Sequence, residues 1–217
     1  MKRLLRATFL SMVCLPLWAQ PTAIELKNPS FEDKPGISQV PSGWTPCGFP
    51  EETPPDTHPS KVFGVKLPAN DGKTYLGLVV RDNDTWEGVS QPLDQPLVAG
   101  KCYGFTFFAA CSKYYQSVSR MTSQPSNFKS PVKLRIWAGN ALCERLQLLG
   151  ETTAVDHHEW RSYAVDLKPN APYTHLFLEA YYLDSGKSPY NGNILLDNLS
   201  DLSTMDCPDS ILEEKRK

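Results

Sequence analysis

The stretch Cys102–Ala110 reads CYGFTFFAA and decides which fold we expect. It is the most strand-like run in the chain, because aromatic and small apolar residues follow one another with a single polar residue among them. The dipeptide Ala99-Gly100 comes directly before it and supplies a turn signal. Such a run bounded by a turn is typical of a β-strand. We therefore start from a β-strand and look for its partners.

The partners are short runs of the same kind along the rest of the chain. Val132–Ala138 (VKLRIWA) alternates between apolar and polar positions, as a half-buried strand does. The further predicted strands are 74–80, 86–93, 160–167, 175–183 and 192–199. The run 143–150 indicates a helix or one more strand, and 34–60 and 113–131 read as loops, the second one long and exposed. Seven or eight short strands without helical crossovers predict an all-β, antiparallel jelly-roll β-sandwich.

Composition agrees with an all-β protein and excludes one class of partner. The 217 residues include 19 Pro and 13 Gly, and this proline content argues against a helical bundle. The formal charge of -2 provides no basic excess of the kind that nucleic-acid binding leaves. We expect one domain over 20–205 followed by a charged tail over 206–217, with no nucleic-acid partner.

Residues 1–19 (MKRLLRATFLSMVCLPLWA) predict a signal peptide. Lys2, Arg3 and Arg6 form a basic region, and an apolar run follows that is too short to span a bilayer. The alternatives are a buried N-terminal helix and a lipoprotein anchored through Cys14. No later segment has the length of a transmembrane helix, so we expect a secreted, periplasmic or cell-surface protein.

Export would permit disulfides. Removal of residues 1–19 leaves five cysteines, which are Cys47, Cys102, Cys111, Cys143 and Cys207. At most two bridges can form and one thiol remains. Cys102 and Cys111 would point to opposite faces of one strand, so they cannot pair with each other. The other pairings stay open, and a structural role is favoured over a metal site or a catalytic thiol.

The order of several short motifs resembles a known class of domain. NPSFED at 28–33 is followed by SGW at 42–44, WEGVSQ at 86–91, AGKCY at 99–103 and NILLDN at 193–198. Over roughly residues 26–202 this order resembles the jelly-roll carbohydrate-binding modules of the CenC/xylan-binding type, within the galactose-binding-like fold. The chain also resembles N-terminal regions of envelope proteins from Bacteroidetes-type bacteria. The resemblance implies polysaccharide binding on a sheet face, or contact with another envelope protein.

The resemblance also implies a structural calcium ion near the first and last strands. The matching positions are Glu32 and Asp197, with a backbone carbonyl near Lys73 to complete the set. Calcium takes six to eight oxygen ligands, and carboxylates from distant segments can supply them. The alternative is that Glu32 and Asp197 are acids that cap turns.

Sugar binding needs flat apolar faces and directional hydrogen bonds, which aromatic and charged side chains provide. Strand alternation and the resemblance predict a groove on one sheet face, and Tyr114 and Tyr115 at the start of the long loop could form its wall. The polar run 81–87 could contact a ligand, although a tight turn is the simpler interpretation. The predicted ligand-binding residues are Arg135, Trp137, Glu179, Tyr181, Tyr114, Tyr115, Arg81 and Trp86. The alternative is that the aromatic ones belong to the core.

Other chemistry has weaker support. Asp56, His58, His157 and His158 invite a metal site, but a solvated loop is favoured because adjacent histidines on a strand point apart. Glu87 and Glu179 could be drawn as a glycosidase pair, which needs carboxyl groups about 5–10 Å apart. Three hypotheses result: an exported carbohydrate-binding module, an envelope protein-interaction domain, and a small glycan-acting enzyme.

Overall fold

The structure is a computed structural model that describes residues 23–184, 186 and 188–207, and these residues form fifteen strands and no helix. The strands are β1 (Ala23–Ile24), β2 (Thr45–Cys47), β3 (Asp56–His58), β4 (Tyr75–Arg81), β5 (Thr85–Trp86), β6 (Gly88–Leu97), β7 (Cys102–Ala110), β8 (Gln116–Val118), β9 (Pro125–Asn127), β10 (Lys133–Gly139), β11 (Gln147–Glu151), β12 (Arg161–Leu167), β13 (Tyr173–Tyr181), β14 (Gly192–Asp197) and β15 (Leu202–Met205). Within this part of the chain no helix could cross a membrane.

Two sheets stack to form the sandwich. The larger sheet has eight strands, in the order β1-β15-β7-β14-β4-β3 with β12 paired to β7 and β5 paired to β4. The smaller sheet has five strands, in the order β11-β10-β13-β6-β2, and β8 and β9 form a separate hairpin. Every ladder between these strands is antiparallel. The prediction of an all-β antiparallel jelly-roll sandwich is confirmed.

The main core lies between the two sheets. Leu134 and Ile136 of β10 are completely buried, and they belong to one apolar cluster with Phe105 and Phe107 of β7. Burying a side chain of this size contributes about 1.5–3 kcal/mol. The alternation seen in VKLRIWA therefore places one set of side chains in the core and turns the other set outward.

A second, smaller core covers the outer face of the eight-stranded sheet. Tyr75 and Val79 of β4 pack there against Tyr115 and Phe128, which come from the segment after β7. This segment was expected to be a long exposed loop, and that expectation is wrong. It contains the β8–β9 hairpin, and its aromatic side chains close over the sheet because the outward positions of β4 are apolar.

Two further expectations about local structure need correction. Residues 34–60 contain β2 and β3 as well as loops. The helix considered for 143–150 does not form, and the strand alternative holds in part as β11. β11 forms because it pairs with the edge of β10, a contact that a helical segment could not make.

Two disulfide bonds cross-link distant segments of the sandwich. Cys47 is bonded to Cys143 and Cys102 to Cys207, across sequence separations of 96 and 105. Cys111 is free and buried among the described residues. This agrees with the expectation of two bridges and one thiol, and with the exclusion of a bond between Cys102 and Cys111. The predicted signal peptide and all but the first two residues of the tail lie outside the described residues.

Candidate functional site: an aromatic face on the five-stranded sheet

Four of the predicted ligand-binding residues lie together on the outward side of the five-stranded sheet. The register of β10 and β13 sets Arg135 opposite Glu179. Alternation along the same strands brings Trp137 and Tyr181 to this side. Trp86, from the short strand β5, reaches over to join them. We call Trp86, Arg135, Trp137, Glu179 and Tyr181 the aromatic face.

The carboxylate of Glu179 organises this face. One oxygen, Oε1, accepts the indole N–H of Trp137 at 2.7 Å. The other, Oε2, accepts the indole N–H of Trp86 at 3.0 Å and the Nε–H of Arg145 at 2.7 Å. Glu179 is only 1% exposed. Its carboxylate therefore orients the two indoles. Direct contact between Glu179 and a ligand, which the sequence predicted, stays a prediction.

The rings are further fixed by contacts among themselves. The guanidinium of Arg135 lies 3.4 Å from the ring centroid of Tyr181, a cation–π contact. The ring of Trp86 meets those of Tyr181 and Phe49 edge-on, with centroids 4.9 and 4.8 Å apart. Trp86, Trp137 and Tyr181 are all partly exposed. The face thus presents three aromatic side chains whose positions are set before any ligand arrives.

Sequence reasoning missed Arg145, Phe49 and Phe177. Arg145 lies on the loop after β10, and its guanidinium sits 4.7 Å from the ring centroid of Phe177 as well as on Glu179. The disulfide between Cys47 and Cys143 ties this loop to the end of β2, next to the face. Cys143, two positions before Arg145, was the one sequence signal that could have placed Arg145 near this face. It could be used only if the disulfide between Cys143 and Cys47 were already known.

Three other predicted ligand-binding residues do not join the aromatic face. Tyr115 is 2% exposed and donates its hydroxyl to Asp56 under the β8–β9 hairpin. Tyr114 is 53% exposed. It lies next to Gly64 and Lys66, on the same side of the molecule as the β8–β9 hairpin. Arg81 is 3% exposed, and its Nη2 donates a hydrogen bond to Glu87. The expected groove wall of Tyr114 and Tyr115 is therefore not found beside Trp137.

The two carboxylates considered as a glycosidase pair face different surroundings. Glu87 lines a cavity beside Arg81 on the outer side of the eight-stranded sheet. Glu179 lies under the indoles of the aromatic face. Their backbones are adjacent, since the N–H of Ala180 donates to the carbonyl of Glu87 at 3.0 Å, but the two carboxylates contact different groups. A role as a glycosidase pair stays a prediction.

The histidines and Asp56 were expected in solvated loops, and this is wrong for three of them. Asp56 and His58 are buried on β3, and burial lowers the pKa of His58 to about 4. His157 is also buried, with its Nε2 2.8 Å from the hydroxyl of Tyr163. His158 is exposed, and its Nδ1 lies 2.8 Å from the carbonyl of Cys111.

The two carboxylates expected to hold calcium both accept backbone N–H groups from the same loop. Glu32 Oε1 accepts the N–H of Lys73 at 2.8 Å. Asp197 Oδ2 accepts the N–H groups of Asn70 and Asp71 at 2.7 and 3.0 Å. No group of three or more His, Cys, Asp or Glu side chains suited to a metal occurs among residues 23–184, 186 and 188–207. Calcium binding therefore stays a prediction.

Comparison with known proteins identifies the fold. No family model and no curated protein matches the chain. The apo form of a cyclase from Fischerella sp. aligns over 88% of this chain and 99% of its own, with 15% identity and a TM-score of 0.53. An α-L-arabinofuranosidase, MgGH51, aligns over 85% of this chain and 27% of its own, with 15% identity and a TM-score of 0.51. The K2 cleaved adhesin domain of Lys-gingipain aligns over 82% of this chain and 97% of its own, with 11% identity and a TM-score of 0.50.

At these identities the matches show the fold alone. A CBM4 domain and the CBM22-1 xylan-binding domain from Paenibacillus barcinonensis Xyn10C also match, with TM-scores of 0.45 and 0.42. They are carbohydrate-binding modules of the kind that the sequence resembles. Their scores are too low to add to the argument about function, which depends on the aromatic face itself.

Proposed function

We propose that this chain is an exported carbohydrate-binding module without catalytic activity, and that it holds a surface or cell-wall polysaccharide on the aromatic face. The observation that carries the proposal is that Trp86 and Trp137 both donate to one buried carboxylate, with Tyr181 packed against Trp86. Sugar rings carry apolar C–H faces that pack on aromatic rings, while their hydroxyls need directional partners. Arg135 supplies such donors from its guanidinium, which lies over the ring of Tyr181.

The fixed positions of these side chains favour affinity for a ligand. A ring that must be immobilised on binding costs about 0.5–1.5 kcal/mol of affinity per side chain. Here Glu179 holds both indoles by hydrogen bonds and Arg135 covers Tyr181, so much of that cost is met during folding. The face can therefore bind a chain of sugars with little rearrangement.

Export is the second part of the proposal. Two disulfides are present in the fold, and disulfides persist in oxidising compartments. The basic and apolar pattern of residues 1–19 supports the same location. A polysaccharide ligand is consistent with a protein outside the cytoplasm.

The test is a glycan array probed with the mature chain from Gln20. We expect binding to one class of polysaccharide, weakened about tenfold or more in Trp137→Ala and Tyr181→Ala, which corresponds to about 1.4 kcal/mol. Trp160→Ala is the matched control, because Trp160 packs on Tyr75 beside the second core. A folded chain that binds no polysaccharide, or one that binds equally well after both substitutions, would contradict the proposal; a stable protein partner would then favour the interaction domain.

Calcium is tested in the same experiment. We propose that a calcium ion near Glu32 and Asp197 ties the segment after β1 to the end of β14. The array and a thermal melt are therefore run with calcium and with a chelator. A ligand that binds only the folded state raises the unfolding free energy. Calcium should raise the melting temperature of the wild type and not of Asp197→Asn. An identical melting temperature with calcium and with chelator would rule the ion out.

A further inference from the structure

A basic surface lies on the opposite side of the sandwich from the aromatic face. The second core holds two segments, 61–68 and 111–129, over the outer side of the eight-stranded sheet. Both segments carry exposed lysines, and in the part of the chain that the structure describes these lysines form no ion pair. They are Lys61, Lys66, Lys113 and Lys129.

The charge of this surface originates in two stretches of sequence. No Asp or Glu occurs from residue 57 to 70 or from residue 95 to 143, although the whole chain has 24 acidic residues against 22 Lys and Arg. The fold brings the two stretches together. Phe63 stacks on Tyr115 with ring centroids 5.4 Å apart, and the N–H of Gln116 donates to the carbonyl of Phe63 at 2.7 Å. Cations from both stretches therefore share one surface.

Neighbouring hollows form a groove where the two segments meet. The first hollow, of about 290 Å³, shares Gly64, Lys66 and Tyr114 with the second, of about 260 Å³. The second shares Gln116 with a third hollow of about 210 Å³ on the β8–β9 hairpin. Sites for small molecules are usually clefts of about 300–1,000 Å³ that enclose the ligand. A row of smaller, open hollows fits an extended chain instead, and we call this row the basic groove.

Several side chains in the groove have binding capacity to spare. Lys66 and Lys113 line it, and neither ammonium group contacts a carboxylate of a described residue. The side-chain amide of Gln116 makes no hydrogen bond to a described residue. Tyr114 is 53% exposed, with Nζ of Lys113 5.8 Å from its ring centroid. The groove thus offers cations, an amide and an aromatic ring to a ligand.

Acidic residues near the groove offset little of this charge. The charge of Asp156 reaches the first hollow, since it adds to burial in raising the pKa of Cys111, which lines that hollow. Glu159 already contacts an arginine guanidinium, as does Glu52 beyond the far end of the groove. The two lysines of the groove therefore outweigh Asp156.

We propose that the basic groove binds a linear anionic polysaccharide, whose carboxylate or sulfate groups meet Lys66 and Lys113 while a sugar ring packs on Tyr114. Sugar hydroxyls can both donate to and accept from the amide of Gln116. Nucleic acid is a denser polyanion, which the overall charge of -2 disfavours. A membrane surface is flat and would leave the hollows unfilled. The proposal is independent of binding on the aromatic face, which lies on the other sheet.

The experiment is isothermal titration calorimetry of the mature chain from Gln20 in about 50 and about 300 mM NaCl. Polygalacturonate and alginate supply carboxylates, dextran sulfate supplies sulfates, and dextran is the neutral reference. Double-stranded DNA and phosphatidylglycerol vesicles represent the other classes of anion. We expect an anionic polysaccharide to bind, about tenfold more weakly at the higher salt because exposed charges are screened. The tighter of the two anion types identifies the group that is recognised.

Three results of this titration would overturn the proposal. The first is a folded chain that binds none of the anionic polysaccharides. The second is equal affinity for neutral dextran, which would show that the lysines do not contribute. The third is tighter binding of DNA or of the vesicles, which would assign the surface to a different class of partner.

The lysines are tested as a pair. Lys66→Gln combined with Lys113→Gln should weaken binding about tenfold or more at the lower salt and remove most of the salt dependence. The matched control combines Lys101→Gln with Lys168→Gln, which changes the net charge equally. Both control residues are exposed at the start of β7, a nine-residue strand that spans roughly 30 Å, whereas Lys113 follows its end. Equal losses in the two double variants would show that only net charge matters and would refute the groove.

The ring of Tyr114 is tested separately. Tyr114→Ala should weaken binding about threefold or more at both salt concentrations, because packing on a ring is not screened. Tyr114→Phe keeps the ring and should bind as the wild type does. If Tyr114→Ala also binds as the wild type does, the groove is not the site.

A last variant separates this surface from the aromatic face. Trp137→Ala should leave binding of the anionic polysaccharide unchanged, whether or not the aromatic face binds a glycan of its own. Binding that is lost in Trp137→Ala and kept in the Lys66 and Lys113 double variant would place the polysaccharide on the aromatic face and refute the second site.

Discussion

The carboxylate of Glu179 accepts the indole N–H of Trp137 at 2.7 Å, although Glu179 itself is only 1% exposed. The two residues lie on neighbouring strands of the five-stranded sheet, and Trp86 reaches the same carboxylate from β5. One buried acid therefore sets the positions of two partly exposed indole rings. This relationship fixes the positions of the aromatic side chains on this sheet surface.

The first prediction concerns this carboxylate. Glu179→Gln should lower the free energy of unfolding by about 2 kcal/mol, because an amide offers one acceptor oxygen where three donors converge. Denaturant unfolding measures the effect. Glu151→Gln is the control: Glu151 pairs with Lys133 and Arg135 at the exposed edge, and such pairs contribute below about 1 kcal/mol. Equal losses in both variants would show that Glu179 is not the organising group.

The second prediction concerns the disulfide that holds Arg145. Replacing Cys47 and Cys143 together by Ser should cost about 2–4 kcal/mol of stability. It should also change the near-UV circular dichroism of the tryptophans, because the loop carrying Arg145 is released from the aromatic face. Replacing Cys102 and Cys207 by Ser should cost a similar amount and leave that signal unchanged. The opposite pattern of near-UV signals would count against the inferred link.

The third prediction concerns the free thiol. Burial raises the pKa of Cys111 to about 11, and the thiolate is the reactive form. The native mature chain should therefore show no thiol reactive toward a disulfide reagent at neutral pH, and the unfolded chain should show one. Cys111→Ser should show none in either state. A reactive thiol in the native chain would mean that a different cysteine is unpaired.

The fourth prediction concerns pH. Burial raises the pKa of Glu87 from 4.5 to about 8, so the folded state holds a proton that the unfolded state releases. Stability from this group is present below pH 4.5 and is lost as the pH rises toward 8, with a slope of up to about 1.4 kcal/mol per pH unit. The unfolding free energy of the wild type should fall relative to Glu87→Gln across this range.

A suitable control for the pH experiment is Glu25→Gln, because Glu25 is exposed. The unfolding free energies of the wild type and Glu87→Gln are best compared between pH 6.5 and 8. Below that range the buried His58, whose pKa is lowered to about 4, adds a change of the opposite sign. Parallel curves for the wild type and Glu87→Gln would show that Glu87 is ionised in the folded state.

Part of the fold could be predicted because its signal is local. CYGFTFFAA and VKLRIWA each carry the strand pattern within a few residues, and both form strands. The same alternation placed Arg135 and Trp137 on one outward side, where the structure has them. The β8–β9 hairpin was missed because its polar, serine-rich sequence has no period, and only the apolar outer side of β4 buries it.

The sequence by itself determined the all-β class, most of the long strands and the two candidate strands of the aromatic face, because strand alternation is written in consecutive residues. Only the tertiary structure decided which cysteines pair, and that Trp86, 93 positions away, and Arg145, 34 positions away, meet at Glu179. It also decided that Tyr115 and Arg81 are buried beside a cavity. Contacts between distant segments depend on how the two sheets stack and twist, and no local pattern encodes that.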